Sequence, residues 1–323
     1  MIASDAVQAV GHPRAPGLSV RLMRGLMGAV EGVLRPLVLN RELPPVGRVE
    51  RDVPYGQHRQ QRLDIYVPPG PGPWATLVYV HGGGWVTGDK SNFEWPCRTL
   101  AGAGVVVFSI NYRWSPEAGF REQVRDVAAA IHSARTHAAR LGTDPDAVFL
   151  AGDSAGAHLV AWLHVSLGQP ALLAAVGLDA SPLPRGLLGS LLFYGMYDLE
   201  RVWAVGGAAV HTPIRCLLGG APANVPAAAA LASPLRHVVP GLAPVFACAG
   251  ERDPLVAETR ALAAALERAG VPCAAVVLGR REYPDAGHSF VNFGRRAATR
   301  RALDEAVAFI ARARAGSRTS GLV

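Results

Sequence analysis

The sequence predicts an α/β protein with a mostly parallel central sheet of about eight strands, covered by helices on both faces. Three observations carry this. From about residue 46 onward, short apolar runs alternate with longer helical stretches, the pattern of strands joined by helical crossovers. The runs are mostly continuous in Val, Ile, Leu, Phe and Ala, as strands buried on both faces require. Finally, 323 residues, 50% hydrophobic and 18% charged, suffice for a large core in one α/β unit without staples.

Met1–Asp5 lacks the charged and apolar regions of a secretory signal, so a cytoplasmic protein is expected. Leu18 to Leu39 reads as an amphipathic helix, with Leu18, Leu22, Leu26, Val30, Val33 and Leu37 near helical spacing. A helix packed on the body, a lid over a site and a peripheral membrane contact all fit this pattern. Val49–Val53 and Arg62–Val67 flank Gly56 as an antiparallel hairpin. Strands are then expected at Thr76–Val80, Val105–Ile110, Ala147–Ala151, Ser190–Tyr194, Pro244–Ala249 and Cys273–Leu278. Helices are expected at Phe120–Arg140, Ala155–Leu167, Leu255–Ala269 and Ala297–Ala313. Residues 199–240, rich in Gly, Ala and Pro, interrupt the alternation and read as a small helical cap, since long insertions in compact domains carry structure or function.

Composition excludes several function classes. No run of about 18 uninterrupted apolar residues exists, so no integral membrane segment is expected; the nearest stretch, Gly17–Leu39, contains Arg21, Arg24, Glu31 and Arg35. The net charge is +7, and Lys90 is the sole lysine, which leaves 31 arginines. These are scattered, with no basic stripe interleaved with aromatics, so a solvated surface is expected and no nucleic-acid partner. Cys97, Cys216, Cys248 and Cys273 form no CxxC pair and no zinc-type cluster with histidine, which predicts reduced thiols, no metal and no cofactor.

The strongest chemical signal is Gly152-Asp153-Ser154-Ala155-Gly156, between an apolar strand and an apolar helix. This is the setting of a nucleophile elbow, where a serine on a sharp, strained turn needs small neighbours and sits at a helix N-terminus. A bland alternative is a small-residue turn with an incidental serine. A second signal precedes it: His81-Gly82-Gly83-Gly84-Trp85 follows the strand at 76–80. Glycines there let backbone amides approach a reacting carbonyl, so Gly82, Gly83 and Gly84 with Ala155 are candidate oxyanion donors. A phosphate loop is the rival reading, but neither G-x-x-x-x-G-K-[ST] nor G-x-G-x-x-G follows. His81 is expected to brace this loop.

A serine hydroxyl needs a base, and the base an orienting carboxylate. His288 lies between the last strand and the last helix, where its loop emerges at the carboxyl ends of the strands. His158 and His164 sit on the helix after Ser154 and suit structural roles, while His12, His58, His132, His137, His211 and His237 fall on helices, the hairpin or the cap. Asp253 follows an apolar strand and is the favoured acid, with a helix cap as its bland role. Asp198, which follows the preceding strand, is the rival, and Asp285 is nearest His288 in sequence.

His-Gly-Gly-Gly-Trp at 81–85, Asn-Tyr-Arg-Trp-Ser-Pro-Glu at 111–117, the Ala151–Leu159 segment, Glu-Arg-Asp-Pro-Leu at 251–255 and Gly-His-Ser-Phe at 287–290 resemble the hormone-sensitive-lipase-like carboxylesterases of the α/β-hydrolase fold. The resemblance runs from about Arg48 to the last helix, and the order Ser154, Asp253, His288 matches that fold. It implies an α/β-hydrolase domain over 46–323, with 199–240 inserted as a cap and 1–45 as an N-terminal helical arm over the acyl pocket. It implies a serine hydrolase acting on short- to medium-chain carboxylic esters, a small-molecule partner; a homodimer is left open. Trp85 and the segment 154–159 also resemble arylformamidases, so an amidase using the same residues remains an alternative, as does a non-catalytic binding protein. Trp114 stands where the family usually has leucine. Trp85, Trp114, Trp203 and Phe290 are expected around the substrate pocket and predict a preference for acyl groups of roughly two to eight carbons.

Overall fold

The computed structural model describes residues 10–11, 13–179, 183–184, 186–219 and 225–320. The expectations for Met1–Asp5 and His12 lie outside them. Eight strands form one sheet: β1 (Arg48–Pro54), β2 (Arg62–Val67), β3 (Ala75–Val80), β4 (Val105–Ile110), β5 (Val148–Asp153), β6 (Gly189–Phe193), β7 (Val245–Gly250) and β8 (Cys273–Leu278). Their order is β1-β2-β4-β3-β5-β6-β7-β8. β1 pairs antiparallel with β2 and β2 with β4, and every later pairing is parallel.

Residues from β2 to β7 are almost all buried, which is why these strands read as continuous apolar runs. Their side chains still alternate between two cores. Val78, Val80, Val148 and Leu150 face one core, while Leu77, Tyr79, Phe149 and Ala151 face the other. The first core is closed by helices α3 (Phe120–Arg140), α4 (Ala155–Ser166) and α9 (Val256–Arg268), through residues such as Val127, Leu163 and Leu262. The second is closed by α2 (Glu94–Gly102) and α10 (Ala297–Ser320), through Leu100, Leu303 and Ile310.

After β3 the chain adds β4 on one side and then crosses back, so that β5 pairs with the other side of β3. The loops leaving β3 and β5 therefore part at a switch of strand order, with Val80 beside Gly152. Sheets of this kind open a crevice at such a point. Between β6 and β7 lie three short helices, α6 (Leu199–Val205), α7 (Ala208–Leu218) and α8 (Val225–Ala232); α5 is Pro170–Ala175.

The N-terminal element is helical as expected: α1 spans Leu18–Leu34 and continues as one wider turn over Arg35–Leu39. Its packing is not that of an ordinary surface helix. Val20 and Leu39 are buried, whereas Leu18, Leu22, Leu26, Val33 and Leu37 stand in solvent.

Candidate active site

β5 runs straight into Ser154, whose φ of 49° and ψ of −118° are a strained pair for a side-chain-bearing residue. The flanking glycines make the turn feasible. A Cβ on Gly156 would overlap the Val80 carbonyl, and one on Gly152 would lie 2.7 Å from the Gly156 carbonyl carbon. The turn leaves Ser154 at the N-terminus of α4, buried but with its hydroxyl on the sheet rim.

Two other loops bring partners to that hydroxyl. Ser154 Oγ and His288 Nε2 are 2.9 Å apart, and His288 Nδ1 lies 2.9 Å from Asp253 Oδ2. With a carboxylate on Nδ1, that nitrogen carries the proton and Nε2 is free to accept from the serine. Asp253 is buried, and its other oxygen accepts the Leu255 amide at 2.7 Å, so both oxygens are held. Tyr194 meets the His288 ring edge-on at 5.1 Å. The rival acid, Asp198, caps α6 by accepting the Arg201 amide at 3.2 Å. Asp253, not Asp285, reaches the imidazole.

The glycine run lies against Ser154, and its three amides differ. Gly82 N–H donates to Asp153 Oδ1 at 2.9 Å, so it is not available to a substrate oxygen, contrary to the expectation for Gly82. The amides of Gly83, Gly84 and Ala155 have no such partner among the described residues. Gly83 has φ of +124° and Gly84 of +59°, and a Cβ on Gly83 would overlap the Thr87 carbonyl. His81 is buried and stacks on Tyr112 at 4.7 Å between ring centroids, bracing the loop as expected. Burial holds its imidazole below the ordinary range.

Asp153 escaped the sequence reading. It is buried directly behind Ser154, accepting from Gly82 N–H and, at 3.3 Å, from the Tyr79 hydroxyl. Burial pushes its carboxyl up to about 7, against the opposing pull of the Gly82 amide and His288. Its signal was visible: an aspartate at the end of a fully apolar strand has to be paired.

A cavity of about 290 Å³ opens beside Ser154 and His288, lined by Gly84, Trp85, Met196, Val210, Pro213, Pro254 and Leu255. Trp85 lines it as expected; its indole N–H donates to His158 Nδ1 at 3.2 Å, and His158 Nε2 lies 2.7 Å from the Ala232 carbonyl. Burial brings the His158 imidazole down to about 4, so it stays neutral and links α4 to α8. The other three aromatic expectations are corrected. Trp114 lies under the Arg24 guanidinium, 5.1 Å from its ring centre, and lines a separate polar pocket with Asp52 and Asp89. Trp203 packs on His211 at 4.2 Å, away from the lining. Phe290 is fully buried against Tyr194 at 5.3 Å, supporting the site from below. A roomier cavity of about 580 Å³, lined by Pro244, Pro272 and Phe309, lies where β7 and β8 begin, away from this rim.

Known proteins share this fold. A family model described as the alpha/beta hydrolase fold matches residues 77–292. The chain is 32% identical over 246 residues to esterase LipQ of Mycobacterium tuberculosis, covering 74% of this chain and 56% of that protein. It is 30% identical over 276 residues to carboxylesterase NlhH of the same organism, covering 80% of this chain and 81% of that one. The chain thus spans a little over half the length of LipQ and, at 55%, of the probable carboxylic ester hydrolase LipM. Among solved structures, a hyperthermophilic esterase from Pyrobaculum calidifontis superposes with a TM-score of 0.72 at 27% identity, over 91% of this chain and 93% of that one. Esterase B from Lactobacillus rhamnosis shares the fold, with a TM-score of 0.82 at 21% identity over 94% and 99% of the two chains. By the family match, the relatives and the sheet order together, this chain belongs to the α/β-hydrolase fold family, in its hormone-sensitive-lipase-like branch.

Proposed function

We propose that this chain is a serine carboxylesterase that cleaves short- to medium-chain esters through an acyl-enzyme, with Ser154, His288 and Asp253 as its triad. The observation that carries the reading is the pair of 2.9 Å contacts from Ser154 to His288 and from His288 to Asp253, beside the amides of Gly83, Gly84 and Ala155. Ser154 Oγ attacks the ester carbonyl carbon while its proton passes to His288 Nε2. The carbonyl electron pair moves onto oxygen, and the three amides hold that oxyanion. Asp253 keeps Nδ1–H oriented and stabilises the imidazolium. Collapse of the intermediate breaks the bond to the alcohol oxygen, which leaves with the proton from His288. Water then adds to the acyl-enzyme by the same steps and releases the carboxylic acid and Ser154.

The cavity supports the chain-length part of this reading. At about 290 Å³ it lies at the small end of ligand pockets, and its walls are apolar apart from Ser154 and His288. Residues 1–45 as an arm and 199–240 as a cap belong to the same proposal; α7, within the second of these, contributes Val210 and Pro213 to the wall. An intracellular, reducing setting is part of it as well, supported by four free thiols, three of them buried.

The test is a panel of nitrophenyl esters from acetyl to palmitoyl, with a fluorophosphonate label on the intact protein. Wild type should hydrolyse the short members and take the label at Ser154. Ser154→Ala should lose the label and at least about 10³-fold in kcat while melting like wild type. A labelled and active Ser154→Ala protein would sink the proposal.

A further inference from the structure

An ordinary surface helix buries its apolar stripe and exposes its charges. The segment Leu18–Leu39 does the reverse. Leu18, Leu22, Leu26, Val33 and Leu37 are 60–72% exposed, and with Met27, Val30 and Val38 they make eight of the nine large hydrophobic residues exposed among the described residues. Arg24 and Arg35 turn inward, and Arg21 alone of the segment's arginines stays exposed, at its N-terminal end. Arg24 donates to both Glu117 oxygens, at 2.6 and 2.7 Å, and to the carbonyls of Val86 and Ser115. Arg35 donates to Asn92 Oδ1 at 2.8 Å. Glu31, the one carboxylate on the helix, is only partly exposed. The outer face between Arg21 and Arg41 therefore presents no fully exposed charge along roughly 30 Å of helix.

We propose that this face is a docking surface for an anionic phospholipid membrane, on which the chain lies by Leu18–Leu39 with the helix in the plane of the headgroups. No helix of the described residues is long and apolar enough to cross a membrane, so the helix lies on the surface. The choice of occupant rests on charge. Exposed Arg14 and Arg21 stand at one end of the stripe and exposed Arg41 at the other, where only Glu42 adds an exposed carboxylate, on a chain of net charge +7. Glu42 pairs with Arg41 and with exposed Arg295, so two copies along the stripe would still face each other with net positive ends in either direction, whereas acidic headgroups meet arginine at both ends. The inner side of the helix rests on the segment after the glycine run and on α7, with Val20 packed on Val86 and Cys216. Docking would thus bring the catalytic rim close to the lipid surface, although it does not depend on the ester-cleavage reading.

Flotation with vesicles tests this without any activity measurement. Vesicles of equal phosphatidylglycerol and phosphatidylcholine should carry the wild-type protein upward. Binding should fall at least about tenfold on pure phosphatidylcholine, or in 0.5 M salt. Leu22→Glu with Leu26→Glu should lower binding by at least about tenfold as well, and Leu22→Gln with Leu26→Gln should do so without adding charge. Both positions are exposed, so melting temperatures should match wild type. Equal flotation of wild type and both double variants would overturn the proposal. So would a wild-type dimer that ignores vesicles and dissociates on the same substitutions, since the stripe would then belong to a second copy.

Discussion

Replacing Asp153 by Asn should change how stability depends on pH. In the folded protein its carboxyl sits at about 7 because burial disfavours the anion, against an ordinary value of 3.8. Between about pH 4 and 7 the folded chain therefore holds a proton that the unfolded chain has released. Folded stability from this group is fully present below about 4 and is lost as pH rises through about 7. A displacement of about three units corresponds to at most about 4 kcal/mol, from 1.36 kcal/mol per unit. At roughly 2–4 °C per kcal/mol, that is on the order of 10 °C in melting temperature. Asn keeps an oxygen to accept the Gly82 amide but has no charge to titrate, and groups not coupled to Asp153 cancel in the comparison. Thermal melts of both proteins in half-unit steps from pH 4.5 to 8.5 should show wild type losing ground to Asp153→Asn by most of this amount. Whatever Asn costs or gains in packing shifts the two curves by a constant, so only their relative slope matters. Parallel curves would refute the reasoning, because they would mean that Asp153 is ionised or solvated alike in both states.

Asp253→Asn should lower kcat by about 10⁴ with little loss of stability, since His288 Nδ1 loses the acceptor that sets its tautomer, whereas Asp198→Asn should leave kcat near wild type. A crippled Asp198→Asn enzyme would reverse the assignment. Gly83→Ala should lower kcat by about 10²–10³ and also lower the melting temperature, because its Cβ would overlap the Thr87 carbonyl and its φ is +124°; kinetics and melts on one preparation read both. For wild type, kcat/KM should peak between two and eight acyl carbons, and Leu255→Ala should move the peak to longer chains by removing a wall of the 290 Å³ cavity. An unmoved peak would place the acyl group elsewhere.

Most of the sheet was legible because burial on both faces writes itself as apolar runs, where β3 to β7 lie; β8 is also an apolar run, whereas β1 and β2 were read from a hairpin around Gly56. α2 was not legible. Glu94, Trp95, Pro96 and Arg98 hide its pattern, and buried Glu94 is tolerated because Arg98 one turn along the helix and Arg51 from β1 pair with it. The candidate residues at 154, 253 and 288 could be found because each lies in a loop that follows a strand, where parallel topology gathers the loops on one rim. The lining could not. Aromatic bulk says nothing about direction, so Trp114 and Phe290 turned elsewhere, while Met196, Val210, Pro213 and Leu255 carry no motif and meet only in three dimensions. Nor does a run of three glycines reveal which amide is already taken. That depended on where Asp153 pointed.

The link from α4 to α8 has an evolutionary corollary. His158 bonds the carbonyl of Ala232, and Trp162 Nε1 donates to the carbonyl of Leu231 at 2.8 Å. Both bonds end on main chain, which every residue type supplies. The helix that begins after Ser154 thus grips α8 without reading its side chains. Substitutions at 231 and 232 that keep the helix and its volume would leave the attachment in place, whereas changing His158 or Trp162 would release it. Variation among descendants of this sequence is therefore expected to collect on α8, the gripped side, while its fastening to α4 is inherited unchanged.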